Sequence, residues 1–451
     1  MSASEHLLKI KKEIADSFPN FETNATKAWQ EIIAEIAHTA TRVSAAGPDY
    51  IPQVKFSELD KLSPEKIAEI KRIGTVVIRD VVEDAEAAKW KTSLEEFVKA
   101  NPTGIDGFPE GNLQFFQLWT KPQVEARSHP NVLATSTWLN NLYSTPSNAN
   151  LEGVDLSTPL SYADRFRIRH PGGHWGAHPP HVDGGTIERW EDPAFRTCFS
   201  NILSGNWRSH DPYELGGRLN ARASIYQRPN QASIFRSFQG WLAMSETGPK
   251  RGTLRVFPDV LLSNAYLILR PFFRSTVGPD ADDYLKPENW KFDISYPEFP
   301  GLIAMDGGYA GPKPTPEQHP HMLLDKMIVS IPEVSPGDAV FWHCDVVHAV
   351  EPEHTGDVDS AGSSFENLAD FPGSESPVFF ESIVMYIPAV PLTPLNQAYV
   401  ERQRETFLKG VTPPDFPQVR VKEADLVGTG KADDILSPLG RRAMGFPISV
   451  A

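Results

Sequence analysis

The stretch HPGGHWGAHPPHVDGG, residues 170–185, decides how this chain is read, together with PGDAVFWHCDVVHAVEPEH, residues 336–354. In the first, His181-Val182-Asp183 sets an imidazole and a carboxylate two positions apart. Residues i and i+2 of a strand point to the same side, so the two side chains can meet one ion together. The second stretch offers His348 as a third ligand from a distant strand. Two histidines and one carboxylate form a facial triad that leaves three positions open on Fe(II). An HxD alone is common. An HxD ahead of Gly184-Gly185, with a later PGDxxFWHxxxxH segment, is far more specific.

Strand parity separates the competing ligand sets. His343, Asp345 and His348 would make a wholly local triad. On an unbroken strand His343 and Asp345 share one face while Cys344 and His348 share the other, so the local set needs a bulge. The set His181, Asp183 and His348 needs none. His170, His174 and His178 read as loop groups, or as groups that orient ligands from outside. His343 is expected beside Trp342 near the metal, and Cys344 on the His348 face as filler.

Cationic candidates come from two strands. In DRFRIR, residues 164–169, Arg165, Arg167 and Arg169 alternate with Phe166 and Ile168. If the apolar pair faces an outer layer, the arginines face the interior, where a guanidinium grips a carboxylate with two parallel hydrogen bonds. Otherwise they form a solvated face. Arg255, in GTLRVFP, poses the same choice between an internal clamp and a surface strand position.

The 451 residues carry 43 basic and 58 acidic side chains, a net charge of −15 with no long basic run. Nucleic-acid backbone binding is therefore not expected. Two cysteines, Cys198 and Cys344, make no disulfide framework, and the polar start MSASEHLLKIKKEIADSF has no apolar signal core. No stretch is long and apolar enough to span a membrane, so a cytoplasmic protein with a small-molecule partner is expected. Oligomeric state is not legible.

Forty prolines and 31 glycines point to many turns and short strands. Apolar spacing predicts a helix from about Glu5 to Thr41. Ser63-Pro64 should cap a helix ended by Gly74, with the β-branched strand Thr75–Ile78 and a helix over 84–99 following. From about Asn112 the pattern turns mainly to β. Strands are expected at Leu113–Trp119, Tyr162–Arg169, Ala177–Asp183, Ser233–Ser245, Thr253–Phe257, Ala339 through Val350, and Val378–Ile387. The reading divides the chain into a helical extension (1–110), a β core (111–400) with an insertion over one mouth at about 265–334, and a C-terminal helix and tail (401–451).

At this point the sequence resembles the phytanoyl-CoA hydroxylase-like Fe(II)/2-oxoglutarate oxygenases, through IKRIGTVVIRDVV, HVD, GWLAMSE, GTLRVFP and PGDAVFWHCDVVHAV. More closely it resembles a bacterial and fungal family long labelled an uncharacterised domain, which includes fungal aziridine-forming valine oxygenases. That likeness extends to HVDGGTIERWED and VMYIPAVPLTPLNQAYVERQRETF. It implies a mainly β fold with flanking helices, a double-stranded β-helix (a cupin-like jelly roll), with Fe(II) held by His181, Asp183 and His348. It also implies 2-oxoglutarate and O2 as co-substrates, succinate and CO2 as co-products, and oxidation of an aliphatic carbon. A branched amino acid such as L-valine is one substrate it suggests, by hydroxylation or by ring closure. One departure stands out. Many relatives hold the far carboxylate of 2-oxoglutarate with an arginine ten to fifteen positions after the distal histidine, and here no Arg or Lys lies between His348 and Arg402. Arg255 is the first choice for a displaced anchor and Arg167 the second. A metal-dependent isomerase or hydrolase on the same barrel, or a non-catalytic barrel that binds a small acid, are the competing readings.

Overall fold

The fold is that of a computed structural model that describes residues 2–108, 113–145, 151–228, 231–305, 307–355 and 381–447. It is mixed α/β, with 41% helix and 17% strand, so helix outweighs the strand that was expected to dominate. The reason is visible in the helices that sequence pattern missed. Val260–Leu269 (VLLSNAYLIL) is buried along its whole length, and a helix that is apolar all round shows no amphipathic period. Lys121–Ser128 and Pro130–Asn140 are short, capped by Thr120 and His129, and likewise weakly periodic.

The N-terminal region largely follows expectation. The long first helix divides into Ala3–Ser17 and Phe21–Ala46, broken beside Pro19, where Asn20 takes a left-handed φ of 52°. The Ser63 hydroxyl accepts from Lys66 N–H at the start of Pro64–Ile73, and Gly74 at φ 75° ends that helix. Thr75–Arg79 is a strand, and Asp84–Ala100 a helix.

An eight-stranded sheet runs in the order Gln53–Lys55, Thr75–Arg79, Ala339–His343, Phe238–Ala243, Ser382–Tyr386, Phe166–Arg169, Leu113–Phe115, Gly107–Phe108. All its pairings are antiparallel except the first. At its centre Phe341 faces Gly240, and a Cβ on Gly240 would stand 2.2 Å from the Phe341 ring; only glycine lets these strands pair at this spacing. A three-stranded sheet, Val329–Ser330, Leu254–Val256 and His348–Val350, shares a cavity with the larger sheet, residues of both lining it.

Several expected strands are shorter than their apolar runs. Ala177–Asp183 is not a strand; a single bridge pairs His181 with His348. Ala339–His343 does not run on to Val350. A turn with Val346 N–H bonded to the His343 carbonyl intervenes, and His348 opens a strand of the other sheet. Residues 378–380 of the last expected strand, and most of the acidic stretch after His354, lie outside the described residues.

Much of the region 265–334 packs on the helix Phe21–Ala46: Trp29 stacks on Phe273 at 4.6 Å and on Tyr266 at 4.9 Å. Ala310, Gly311 and Lys313 are the part of it that reaches the cavity. Among the described residues no helix is long and apolar enough to cross a membrane.

Candidate metal centre

His181 and His348 exchange both backbone hydrogen bonds, each 2.9 Å. Directly opposed residues in such an antiparallel pair project side chains from the same face. Their rings consequently lie 4.2 Å apart, centroid to centroid. Asp183, two residues on, reaches the same point: Oδ1 is 3.8 Å from His181 Nε2 and Oδ2 is 3.6 Å from His348 Nε2. One donor atom from each of the three lies within 4.8 Å of the others.

The tautomers suit a cation. His181 Nδ1–H donates to the Pro179 carbonyl at 2.7 Å, and His348 Nδ1–H to the Val346 carbonyl at 3.0 Å. Each Nε2 then presents its lone pair to the common point, the arrangement that orients imidazoles toward metals. Burial, reinforced by the neighbouring His348, lowers the His181 pKa to about 4, so the ring is neutral and able to coordinate at ordinary pH. Burial pushes the Asp183 carboxyl up, but His181, His348 and Arg236 together hold it below the usual carboxylate range. The 43% of the Asp183 side chain that remains accessible opens into the cavity it lines.

The turn that carries Asp183 is held from beneath. Gly184 and Gly185 take φ of 74° and 97°, and a Cβ on Gly185 would meet the Phe195 ring at 2.4 Å. The chain folds back so that Arg189 donates from Nη2 to the carbonyls of Asp183 (3.0 Å) and Gly184 (3.1 Å), and from Nε to that of Gly185 (3.3 Å). Arg189 Nη1 is itself fixed by Asp345 Oδ1 at 2.9 Å, while Asp345 Oδ2 takes Arg218 Nη2 at 2.5 Å.

That knot corrects the local alternative. His343, Cys344 and Asp345 also cluster, but their ligand capacity is spent. His343 Nε2–H donates to the Pro212 carbonyl and its Nδ1 accepts from Asp345 N–H, both at 3.1 Å. The Asp345 oxygens are taken by two arginines. His343 lies among Tyr143, Tyr213 and Phe238, away from the triad, and Cys344 contacts Tyr143 and Arg218. The parity expected past His343 fails because the strand stops there. Of the other histidines, His178 lines the cavity, its ring 5.9 Å from that of His181, and accepts from Trp175 Nε1–H at 2.9 Å. His170 and His174 pair with Glu381 and Glu353 instead.

The triad opens on a cavity of about 500 Å³, within the range of small-molecule sites. Its lining includes Arg165, Arg167, Arg228, Arg236 and Lys313 against Asp164 and Asp183. The arginines of DRFRIR thus face inward, with Phe166 turned away to stack on Phe115 at 4.7 Å. Arg167 is buried beside the Trp175 ring and donates to the Gly252 carbonyl at 3.2 Å. Arg169 is fully buried and straps the Glu351 and Pro352 carbonyls. Arg255 is a correction. Its neighbour Leu254 lines the cavity, whereas Arg255, on the opposite side of the strand, donates to the Ile328 carbonyl at 2.8 Å. Arg189, Arg236 and Lys313 were not anticipated. ERWED reads as an exposed helical turn, and nothing in ASIFRSFQG separates Arg236 from a surface arginine.

The Gig2-like family profile matches residues 3–446. The crystal structure of the GlcNAc Inducible Gene 2 product of Candida albicans superposes with a TM-score of 0.81 at 31% identity, covering 98% of this chain and 89% of that one. A Salmonella typhimurium LT2 protein described as a candidate oxidoreductase superposes at TM-score 0.75 and 25% identity, over 99% and 98% of the two chains. The uncharacterized Escherichia coli protein YbiU is 28% identical over 428 residues, 91% of this chain and 90% of its own length.

Proposed function

The chain belongs to the Gig2-like family, and we propose that it is a non-haem Fe(II) oxygenase that uses 2-oxoglutarate and O2. The observation that carries this reading is the convergence of His181 Nε2, His348 Nε2 and an Asp183 oxygen on one point beside a cavity. Two imidazoles and one carboxylate fit Fe(II) with positions to spare. The oxidoreductase description of the Salmonella relative agrees with it. The two sheets are then read as the faces of a double-stranded β-helix, and a reducing, intracellular setting goes with the two free cysteines.

In this reading Fe(II) supplies oxygen activation coupled to decarboxylation of 2-oxoglutarate to succinate and CO2, with oxidation of an aliphatic C–H bond. The protein's share is positioning. Pro179 and Val346 carbonyls fix the imidazole tautomers, and Arg189 fixes the turn that carries Asp183. Arg167, buried in the cavity wall, anchors the distal carboxylate in place of the arginine missing after His348. Trp342, whose ring is 5.1 Å from that of His348, walls the reacting space and helps exclude water. L-Valine is the first substrate to try, with β-hydroxylation or aziridine closure as products to look for.

The test is an oxygen-free visible spectrum of the protein with Fe(II), before and after 2-oxoglutarate. A metal-to-ligand charge-transfer band that is lost in Asp183→Ala supports the reading. Fe(II) binding without any band refutes it.

A further inference from the structure

Arg236 is a half-buried guanidinium on the cavity wall without a partner equal to its charge. Its side chain is only 12% accessible, yet among the described residues it makes no hydrogen bond. Its nearest carboxylate oxygen, Asp164 Oδ2, is 3.8 Å away, and that acid already serves Arg165 N–H at 2.8 Å. The other face of Arg236 lies over the Tyr162 ring at 5.8 Å. Its five donors, set in a fixed fork, are free of hydrogen bonds to the described residues while the side chain lines the cavity. A guanidinium with unused donors on a cavity wall is placed to receive a ligand.

The position of Arg236 narrows the ligand. It lines the main cavity, and with Asp183 and Gly184 it lines a small side pocket of about 40 Å³. It therefore stands on the Asp183 flank of the triad. Arg167 stands on another flank, against Trp175, which donates to His178. The lining holds five cationic side chains against two carboxylates, one of which is the candidate ligand Asp183. A single bound dicarboxylate at Arg167 would still leave one more cationic side chain than carboxylates.

We propose that Arg236 is a receptor for a ligand carboxylate, separate from the Arg167 wall, so that the cavity takes a carboxylate-bearing small acid as substrate. The planar fork matches a carboxylate with two parallel bonds. The same chemistry could come from the co-substrate, and the test separates the two sources. The assignment of the acid as substrate rests on the oxygenase reading; the receptor itself does not.

Butyrate and its neutral isostere butyramide are titrated calorimetrically into the metal-free protein, wild type and Arg236→Gln. Wild type is expected to bind butyrate and reject butyramide, with Arg236→Gln weakening butyrate by about 30-fold or more and Arg167→Gln sparing it. The denaturation midpoint of ligand-free Arg236→Gln should hold, because the side chain is half-buried and gives up only a 3.8 Å ion pair with Asp164. Arg236→Lys, which keeps the charge and loses the fork, guards against misfolding and should weaken butyrate by about tenfold. If Arg236→Gln instead weakens 2-oxoglutarate in the oxygen-free Fe(II) protein and spares butyrate, the receptor stands and its carboxylate is the co-substrate's. Unchanged affinity for both, or a marked fall in midpoint, overturns the proposal. Absence of a charge-transfer band in wild type would sink the oxygenase reading and leave the butyrate result intact.

Discussion

Replacing Asp345 by Asn tests whether the buried knot beneath the triad positions Asp183. Asp345 is 1% exposed. It binds Arg189 Nη1 at 2.9 Å and Arg218 Nη2 at 2.5 Å, with Asn264 Nδ2 at 3.3 Å. Asn fills the same volume but leaves two buried guanidinium groups without a counter-charge. Breaking a buried pair from one side costs about 3–5 kcal/mol. The amide oxygen and the surrounding carbonyls still accept hydrogen bonds, so about 3 kcal/mol is the expected loss. The second effect runs through Arg189, which holds the Asp183, Gly184 and Gly185 carbonyls. Loosening groups that orient a metal ligand typically weakens metal affinity 10–100-fold. Urea denaturation of the metal-free protein reads the first effect, and Co(II) titration by visible absorption reads the second. Arg218→Met is the control. Arg218 shares the carboxylate but bonds the Pro212 carbonyl rather than the Asp183 turn, so it should cost stability and largely spare metal affinity. Equal loss of Co(II) affinity in both variants, or none in Asp345→Asn at 3 kcal/mol of destabilisation, would refute the positioning argument.

Arg255→Ala should leave the 2-oxoglutarate dissociation constant within about twofold of wild type, whereas Arg167→Ala should raise it by about 30-fold or more; titration of the charge-transfer band checks both. Stability should fall in acid, with a computable sign. Burial lowers His181, His210 and His321 to about 4 and His178, His319 and His343 to about 3, so near pH 5.5 the unfolded metal-free chain binds roughly six protons that the folded chain refuses. Burial raises Asp259 to about 6 and Glu423 to about 7, so these two work in the opposite direction. The net of roughly four protons gives a slope of about 5 kcal/mol per pH unit between pH 5 and 6. Stability is retained above about pH 6.5 and lost below it, and denaturation midpoints that stay flat from pH 6.5 to 5 would contradict the burial of these histidines.

The candidate triad was legible because its information is local. His181 and Asp183 are two residues apart, and the Gly-Gly turn behind them and the PGDxxFWH approach to His348 each carry a conformational demand readable in sequence. The N-terminal cap at Ser63-Pro64 and the stop at Gly74 were readable for the same reason. Helix content was not: Val260–Leu269 has no polar face to mark its period. Nor was the choice between Arg167 and Arg255. Both alternate with apolar residues on short strands, and which face is inside depends on what packs there: Phe115 against Phe166 in one case, Ile328 beside Arg255 in the other.

Arg189 and Arg236 mark the limit of such reading, and for different reasons. Arg189 is satisfied by a carboxylate 156 positions away, so its burial depends on two distant segments meeting. Its neighbours Glu188 and Glu191 make the segment look like solvent-facing text, although Glu188 is fully buried and caps Thr186 N–H. Arg236 is the reverse case, a charge that the folded chain does not satisfy. Sequence pattern predicts where residues go by what they can bury or bond within the chain. A group held in place for something outside the chain violates that rule, and it becomes visible only when the fold shows it on a cavity wall with its donors unused. The same logic explains why the cavity tolerates Arg236 at all. The carboxylate that completes it need only be present when the site is in use, and until then the guanidinium is held by its weak pairing with Asp164 and its packing over Tyr162.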